Sequence, residues 1–378
     1  SEIRNGLSRV AQVAGQWPRV VTVGVSVYFL AAAAWSTVML KKLLTEDGVN
    51  PAGYILTLFI FSNLIGYIVK IFQENFRIQP RTLGERIRRA WRQWTYTDQE
   101  YDLYEHTLTR WDRFLIFLNS FLGQTLGTVL FITALATVLP AELHALFYTT
   151  RSVLALVMGH WFLGYVIRPF MISERIEWRS YAPGLALVFG GLLGGMVFAG
   201  TGSASASIVV GITATAIQIV LASGQLILQR HILKGRYGNR PELQPALRMI
   251  MVKYGYLQGF AFCMALFNVL GLSALFGILP SSLSVPGQLV LAMIHQGSLG
   301  FIQQDLWIPV LSAIYFANWH IVYYLQSHAR LVTAVLLPAM TPVMTWAIAA
   351  RFWGQTLTLS QIVFGAVAIA GIILVGFV

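Results

Sequence analysis

The sequence has few charged residues, one cysteine and no motif for nucleotide hydrolysis. Only 11% of its 378 residues are charged, against about a quarter in soluble domains. With Cys263 as its single cysteine, the chain cannot form an internal disulfide. A glycine-lysine phosphate-binding loop is lacking, which argues against ATP-driven pumping. No His, Cys, Asp and Glu cluster has metal-ligand spacing and no Ser-His-Asp pattern occurs, so we predict neither an enzyme nor a cofactor.

Apolar residues dominate instead. They make up 56% of the chain, and the mean hydropathy is +0.66. Stretches of roughly 20 apolar residues recur, which is the length that a helix needs to cross a bilayer. The sequence therefore predicts an all-α polytopic membrane protein with ten transmembrane helices. The predicted spans are 19–42, 51–73, 112–139, 145–168, 180–200, 206–230, 249–279, 307–326, 331–351 and 358–378. The stretch 281–305 fits either an interfacial or a re-entrant segment.

The placement of Lys and Arg predicts the orientation. Most of them fall on one side if the N-terminus is cytoplasmic, and they are densest in Lys70–Arg113 and Arg230–Lys253. Because basic loops stay in the cytoplasm, we expect both termini there, in a bacterial inner membrane. The net charge of +11 is then mostly a signal of topology, and no nucleic-acid partner is expected.

A basic segment lies between the second and third spans, in the cytoplasmic loop 77–112. "RTLGERIRRAWRQW" (Arg81–Trp94) interleaves Arg with Trp and Leu at near-helical spacing. This pattern predicts an interfacial amphipathic helix, with Trp at the headgroup level and Arg on anionic phosphates. The helix fits a simple membrane anchor, and the long loop leaves open a docked partner protein or a regulatory lipid.

A glycine pattern occurs twice along the chain. Gly184 and Gly190 lie in one apolar helix that follows a polar step, and Gly365 and Gly371 lie in another. The offset between the corresponding glycines of the two helices is 181 residues in both cases. Small residues let helices pack closely in lipid, so these four glycines are predicted helix-packing positions. Five spans precede the small polar stretch Gly200–Ser207 and five follow. Because five is odd, residues 1–200 and 201–378 would form two five-helix repeats of inverted topology.

On these residues the chain resembles the ten-helix branch of the drug/metabolite transporter superfamily. His328–Phe377, with the mid-helix Pro342, looks like the last two helices of that family, and Ala31–Leu44 looks like its first. The resemblance implies two inverted five-helix repeats and secondary transport. The sequence departs from the family at Gln355, where a carboxylate is expected, and in the long loop after the second span.

Polar and aromatic residues within spans are the candidate substrate-binding residues, because ionisable groups are costly in lipid. Arg151 lies about 10 Å into the fourth span and carries a planar donor fork for carboxylate or phosphate, although it also fits a snorkelling residue. Tyr315, Trp319 and Tyr323 form an aromatic stripe at four-residue spacing, which is typical of helix packing but also suits a solute pathway. The remaining candidates are Asn318, Tyr254 and Gln258.

No Asp or Glu lies well inside a span, which argues against a proton relay and a cationic substrate. We therefore expect an exporter or exchanger of a small neutral or anionic organic metabolite, working by alternating access. Two alternatives remain open at this stage. One is a transporter or flippase of an amphiphile, such as a lipid-linked sugar or lysolipid. The other is a non-transporting scaffold subunit that docks a partner through 77–113.

Overall fold

The computed structural model describes a helical protein. The residues described are 18–47, 49, 51–75, 82–95, 108–136, 144, 151, 154–155, 158, 178–198, 206–240, 243–275, 307–328, 341–353 and 359–377. Within these ranges the regular structure is helix, with no β-strand, which confirms the all-α prediction for this part of the chain. The segment 281–305 and most of the predicted span 145–168 lie outside the described residues.

The helices follow the predicted spans closely. Two of them contain a π-helical turn and run without a break, over residues 110–135 and 206–236. The elements are α1 (Pro18–Thr45), α2 (Pro51–Asn75), α3 (Leu83–Thr95), α4 (Arg110–Ser120), π1 (Phe121–Leu126), α5 (Gly127–Leu135), α6 (Trp178–Phe198), α7 (Ala206–Arg230), π2 (His231–Arg236), α8 (Gln244–Leu275), α9 (Trp307–His328), α10 (Thr341–Trp353) and α11 (Leu359–Phe377).

Five of the described helical segments are long and apolar enough to cross a membrane. They are Val23–Thr45, Gly53–Phe72, Arg110–Leu135, Val210–Arg236 and Trp307–His328. Exposed apolar residues run along α2 at four-residue spacing, namely Ile60, Leu64, Ile68 and Phe72. A long helix with an exposed apolar stripe fits contact with lipid, so these elements are compatible with an integral membrane protein.

Capping residues fix the starts of α3 and α4. Thr109 and Asp112 form a capping box, in which the Asp112 N–H donates to Thr109 Oγ1 (3.2 Å) and the Thr109 N–H donates to Asp112 Oδ2 (2.9 Å). Thr82 and Glu85 form the equivalent pair of bonds at the start of α3. The Glu85 N–H donates to Thr82 Oγ1 (3.3 Å), and the Thr82 N–H donates to Glu85 Oε2 (3.2 Å). These pairs satisfy backbone N–H groups that have no partner inside the helix.

Most of the described helices contact several others in one bundle. The helix α2 packs against α9, while α8 packs against α4 and π1. The helix α1 packs against α9 and α10, while α7 packs against π1 and α5. The helices α2 and α8 also contact each other, and α6 and α11 form a separate close pair.

The π-helical turn π1 lies between the two halves of its helix, beside α7 and α8. A π-helical turn holds an extra residue and is often found at functional sites. Gly123 in this turn has no room for a side chain, because its missing Cβ would fall on the amide of Gln225. The turn therefore lets α7 approach the helix closely, and it sets which residues of α5 face inward.

Candidate functional site

A cavity of about 160 Å³ lies within the bundle, between helices of the first and the second half of the chain. Its wall is formed by α1, π1, α5, two residues between α5 and α6, α7, α9 and the first residue of α10. The lining residues are Phe29, Ala33, Ser36, Thr37, Gly123, Gly127, Thr128, Phe131, His144, Arg151, Gln218, Gln225, Leu226, Tyr315, Asn318, Trp319, Val322, Leu325, Gln326 and Thr341.

The cavity wall is amphipathic and contains no carboxylate among the described residues. Aromatic rings supply part of the surface, and hydroxyl and amide side chains supply most of the polar part. Arg151 and His144 are the ionisable groups with strong donor capacity on this wall. An anion or a neutral polar molecule therefore finds donors here, whereas a cation finds no counter-charge.

Hydrogen bonds attach the residues at 144 and 151 to α7. The ring Nε2 of His144 lies 3.1 Å from Gln218 Oε1, and both side chains are buried. Ser223 donates from Oγ to the carbonyl oxygen of Arg151 over 3.0 Å. The same hydroxyl also donates to the carbonyl of Ile219, one turn back on α7. The Arg151 backbone is therefore held against the helix that carries Gln218 and Gln225.

The predicted aromatic stripe exists on α9, but its three rings have different surroundings. The ring centroids are 6.1 Å apart for Tyr315 and Trp319, and 5.8 Å apart for Trp319 and Tyr323. Tyr315 and Trp319 line the cavity together with Asn318. The hydroxyl of Tyr315 is bonded to Thr128 Oγ1 on α5.

Tyr323, the third ring of this stripe, is fully buried and belongs to a hydrogen-bond network with α4 and π1. Its hydroxyl accepts from Asn119 Nδ2 (3.1 Å) and donates to Gln124 Oε1 (3.4 Å). Tyr323 is not among the residues that line the cavity. Its polar atom therefore ties helices together beside the cavity.

The two candidates from α8 are not part of the cavity wall. Tyr254 is half-buried and packs against the hydrophobic core, and Gln258 is half-buried one turn further along α8. Neither is among the lining residues. Of the seven predicted substrate-binding residues, the structure thus brings Arg151, Tyr315, Asn318 and Trp319 to one cavity.

Sequence reasoning did not single out the polar residues that α7 and the residue at 144 contribute. Gln218 and Gln225 are seven residues apart, which places them on one face of a helix. The buried Gln229 continues the same face four residues later. This row of amides on a largely apolar span is the sequence signal that could have indicated which side of α7 faces inward.

Two of the four predicted packing glycines, Gly184 and Gly371, meet at the contact between α6 and α11. A Cβ on Gly371 would lie 2.6 Å from the carbonyl oxygen of Gly184 and 2.7 Å from the nitrogen of Val188. On the other helix, the close contact is made by Gly191, whose Cβ would lie 2.6 Å from the carbonyl oxygen of Phe364. Gly190 is exposed with no atom near it. Gly365 faces the ring of Trp346 at 3.1 Å.

A second polar region, which we call the Asp112 cluster, consists of Thr109, Asp112, Arg236 and Tyr237. Asp112 is 2% exposed and forms an ion pair with Arg236 Nε. Tyr237 donates from its hydroxyl to Asp112 Oδ2 over 2.8 Å. Burial raises the pKa of Tyr237, and the bond to the Asp112 carboxylate raises it further. The phenol therefore stays protonated and keeps donating.

Buried bonds from basic residues lie at the same end of the bundle. Arg230 donates from Nη1 to the carbonyl oxygen of Gln326 over 2.7 Å, and both residues are buried. Arg248 donates to Ser327 Oγ over 2.9 Å. These bonds join the end of α7 and the start of α8 to the end of α9.

Comparison with known proteins shows similarity at the level of fold. No protein-family model matches the chain, and no curated protein matches it. Solved structures do match. One of them, described as "Crystal structure of protein", has a TM-score of 0.51 and 15% sequence identity. The match covers 93% of this chain and 98% of that one. At this identity the similarity extends to the overall arrangement of helices and no further.

Proposed function

We propose that the chain is a secondary transporter of a small neutral or anionic organic metabolite, working by alternating access as an exporter or exchanger. Its architecture would be two inverted five-helix repeats of the drug/metabolite transporter type. It would lie in a bacterial inner membrane with both termini in the cytoplasm. The observation that carries the proposal is the amphipathic cavity lined by helices from both halves of the chain.

Helix packing supports the inverted repeat. In a ten-helix scheme with two repeats, α1 corresponds to α7, α2 to α8, and α4–π1–α5 to α9. Under this correspondence the contact of α2 with α9 has its counterpart in the contact of α8 with α4 and π1. The contact of α1 with α9 likewise has its counterpart in that of α7 with α5. Two halves related in this way can rock against each other around a central site.

The cavity chemistry supports the solute class. Arg151 offers a planar, permanently charged fork that suits a carboxylate, and the amides of Gln218, Gln225 and Asn318 serve a neutral polar group equally well. The aromatic rings of Tyr315 and Trp319 provide an apolar wall for the body of an organic molecule. No described lining residue compensates a positive charge, so cations are disfavoured.

The size of the cavity favours a small solute over an amphiphile. A cavity of about 150 Å³ holds a molecule the size of benzene. At about 160 Å³, this cavity fits a small organic acid or amide, and a lipid-linked sugar exceeds it several times. Of the transport functions considered, the small-metabolite carrier is therefore the one that the geometry favours.

Flux measurements in proteoliposomes test this function. The panel contains size-matched probes that differ in charge, namely benzoate, benzamide and benzylamine. We expect uptake of the carboxylate or the amide above empty liposomes and none of the amine. Arg151→Ala should lower carboxylate uptake by about 10- to 100-fold, because charge-assisted hydrogen bonds contribute about 1.5–3 kcal/mol each. Arg151→Lys should recover only part of this loss, because lysine lacks the planar fork.

The matched control is Arg351→Ala, which removes an exposed charge at the end of α10. It should leave uptake within twofold of wild type. Equal uptake of all three probes by wild type and Arg151→Ala would contradict the role of Arg151 in charge selection. Uptake no greater than in empty liposomes across a broad solute panel would contradict transport itself.

A further inference from the structure

The short helix α3 is attached to α2 by only part of its apolar face. Ala90 and Trp94 are buried against α2. The ring of Trp94 covers Gly66, where a side chain would collide with it, and Trp94 Nε1 donates to Asn63 Oδ1 over 3.0 Å. Tyr67 donates from its hydroxyl to the carbonyl oxygen of Ile87 over 3.2 Å. These contacts fix the orientation of α3 on α2.

The rest of the apolar face of α3 is uncovered. Leu83, Ile87 and Trp91 follow one another at four-residue spacing and are 65%, 41% and 53% exposed. At about 100° per residue, Arg88 lies about 60° and Arg92 about 100° from Trp91 round the helix, and both are exposed. The helix therefore presents apolar side chains with two guanidinium groups on one side of them.

This uncovered strip continues the exposed apolar stripe of α2. Tyr67 joins the two, because its ring lies 5.6 Å from that of Trp91 in an edge-to-face contact. On α2, the neighbouring exposed residues are Ile68 and Phe72, at the end of the helix that leads towards α3. The exposed apolar surface of α2 thus continues past Tyr67 onto α3.

We propose that this face of α3 binds anionic phospholipid headgroups, and that its occupancy is transmitted to the cavity through Trp94 and Asn63. Leu83, Ile87 and Trp91 enter the acyl-chain boundary, while Arg88 and Arg92 bind the lipid phosphates. Charge complementarity and continuity with the α2 stripe favour a lipid surface over a soluble protein. The inference does not depend on the transport function.

A chain of contacts leads from α3 to the cavity. Asn63 accepts from Trp94 and donates from Nδ2 to the carbonyl oxygen of Tyr256 on α8 over 3.1 Å. The Tyr256 ring stacks on Phe316 at 5.4 Å and lies 6.2 Å from the ring of Tyr315. Tyr315 lines the cavity. A shift of α3 towards the membrane surface therefore acts on α8 and on the cavity wall of α9.

Native mass spectrometry of the full chain tests the binding. The detergent-solubilised protein is titrated with phosphatidylglycerol and, separately, with phosphatidylcholine. We expect wild type to prefer phosphatidylglycerol, and Arg88→Gln/Arg92→Gln to weaken its binding by roughly fivefold per arginine. The charge-matched control Arg179→Gln/Arg351→Gln removes two exposed arginines elsewhere and should change binding less than threefold. Equal losses in both double variants, or no lipid preference in wild type, would overturn the proposal.

Thiol labelling in nanodiscs tests the transmission. Cys263→Ala removes the native thiol, and Asn318→Cys places a probe on the cavity wall. We expect its labelling rate to differ by about twofold or more between phosphatidylcholine nanodiscs and nanodiscs with roughly 30% phosphatidylglycerol, because anionic headgroups attract basic residues at the membrane surface. Adding Arg88→Gln/Arg92→Gln should abolish the difference. Rates that do not depend on lipid, or a dependence that survives the double variant, would refute the transmission.

Discussion

The cavity and the Asp112 cluster lie in the same bundle but use polar side chains in opposite ways. In the Asp112 cluster a buried carboxylate is surrounded by the donors of Thr109, Arg236 and Tyr237, and the polar atoms face one another. In the cavity, polar side chains from both halves surround a space of about 160 Å³. In the first region the polar atoms are paired with one another, and in the second they border an open space.

The difference predicts which polar side chains stabilise the fold and which can be changed without loss of stability. Removing one partner of a buried ion pair leaves the other partner uncompensated, so mutations in the Asp112 cluster should be felt as lost stability. Removing a side chain that faces an open cavity exposes its neighbours to the solvent or solute already there. Mutations on the cavity wall should therefore change binding or flux more than stability.

The largest expected effect is that of Asp112→Ala. This variant removes the carboxylate that pairs with Arg236, accepts from Tyr237 and caps α4. Loss of one partner from a buried pair costs about 3–5 kcal/mol, so we expect a marked fall in the midpoint of thermal unfolding. Asp47→Ala, which alters an exposed carboxylate after α1, should shift the midpoint little. Equal midpoints for the two variants would remove the distinction between the regions.

A smaller loss is expected for Tyr237→Phe. This change removes the hydroxyl that donates to Asp112 and leaves the aromatic ring in place. Hydrogen bonds to charged groups contribute about 1.5–3 kcal/mol, so the loss of stability should be roughly half that of Asp112→Ala. In a double-mutant cycle, the two changes should be strongly non-additive because they remove the same bond. Additive effects would show that the bond contributes little.

Gly371→Ala extends the comparison to a packed contact without any polar side chain. The new methyl group meets backbone atoms of Gly184 and Val188, which cannot rotate away, so α6 and α11 must separate. Overpacking of this kind costs about 1–3 kcal/mol. Gly190→Ala is the matched control, because nothing lies within 4 Å of its new methyl group. It should leave stability unchanged or raise it by up to about 1 kcal/mol.

The smallest change in stability is expected for Ala33→Phe, on the cavity wall of α1. A phenyl group at this position occupies a large part of the cavity. Flux of the transported solute should fall by about tenfold or more, while stability should change by less than the roughly 1–3 kcal/mol that overpacking costs, because the phenyl group enters open space. Val27→Phe places the same group on the exposed side of α1 and should affect neither quantity. Full flux through Ala33→Phe would mean that the solute path avoids this cavity.

The positions of the helices were predictable because long apolar runs leave few alternatives in a bilayer. The predicted spans 51–73 and 307–326 correspond to Pro51–Asn75 and Trp307–His328, and 206–230 corresponds to Ala206–Arg230. The amphipathic segment Arg81–Trp94 likewise forms α3. Each of these depends on local composition, and the boundaries in the structure lie within a few residues of those read from hydropathy.

The cavity wall was less accessible to sequence reasoning because it depends on packing between distant helices. Arg151 was found as a costly charge within a span, and Tyr315, Asn318 and Trp319 as part of a stripe. Tyr323 belongs to the same stripe, yet its hydroxyl forms hydrogen bonds with Asn119 and Gln124 and so connects neighbouring helices. His144 lies between two predicted spans, and its role becomes visible only where Gln218 meets it.

The π-helical turn π1 takes up one residue without changing which side of α5 faces inward. Because the turn holds one residue more than an α-helical turn, deleting one residue from Phe121–Leu126 would let the helix close into regular α-helical geometry. The part beyond the deletion would keep its orientation relative to α4, and Thr128 and Phe131 would still line the cavity. The same deletion in the regular helix α4 would instead turn everything beyond it by about 100°. Of the two deletions, only the second would move a wall of the chamber.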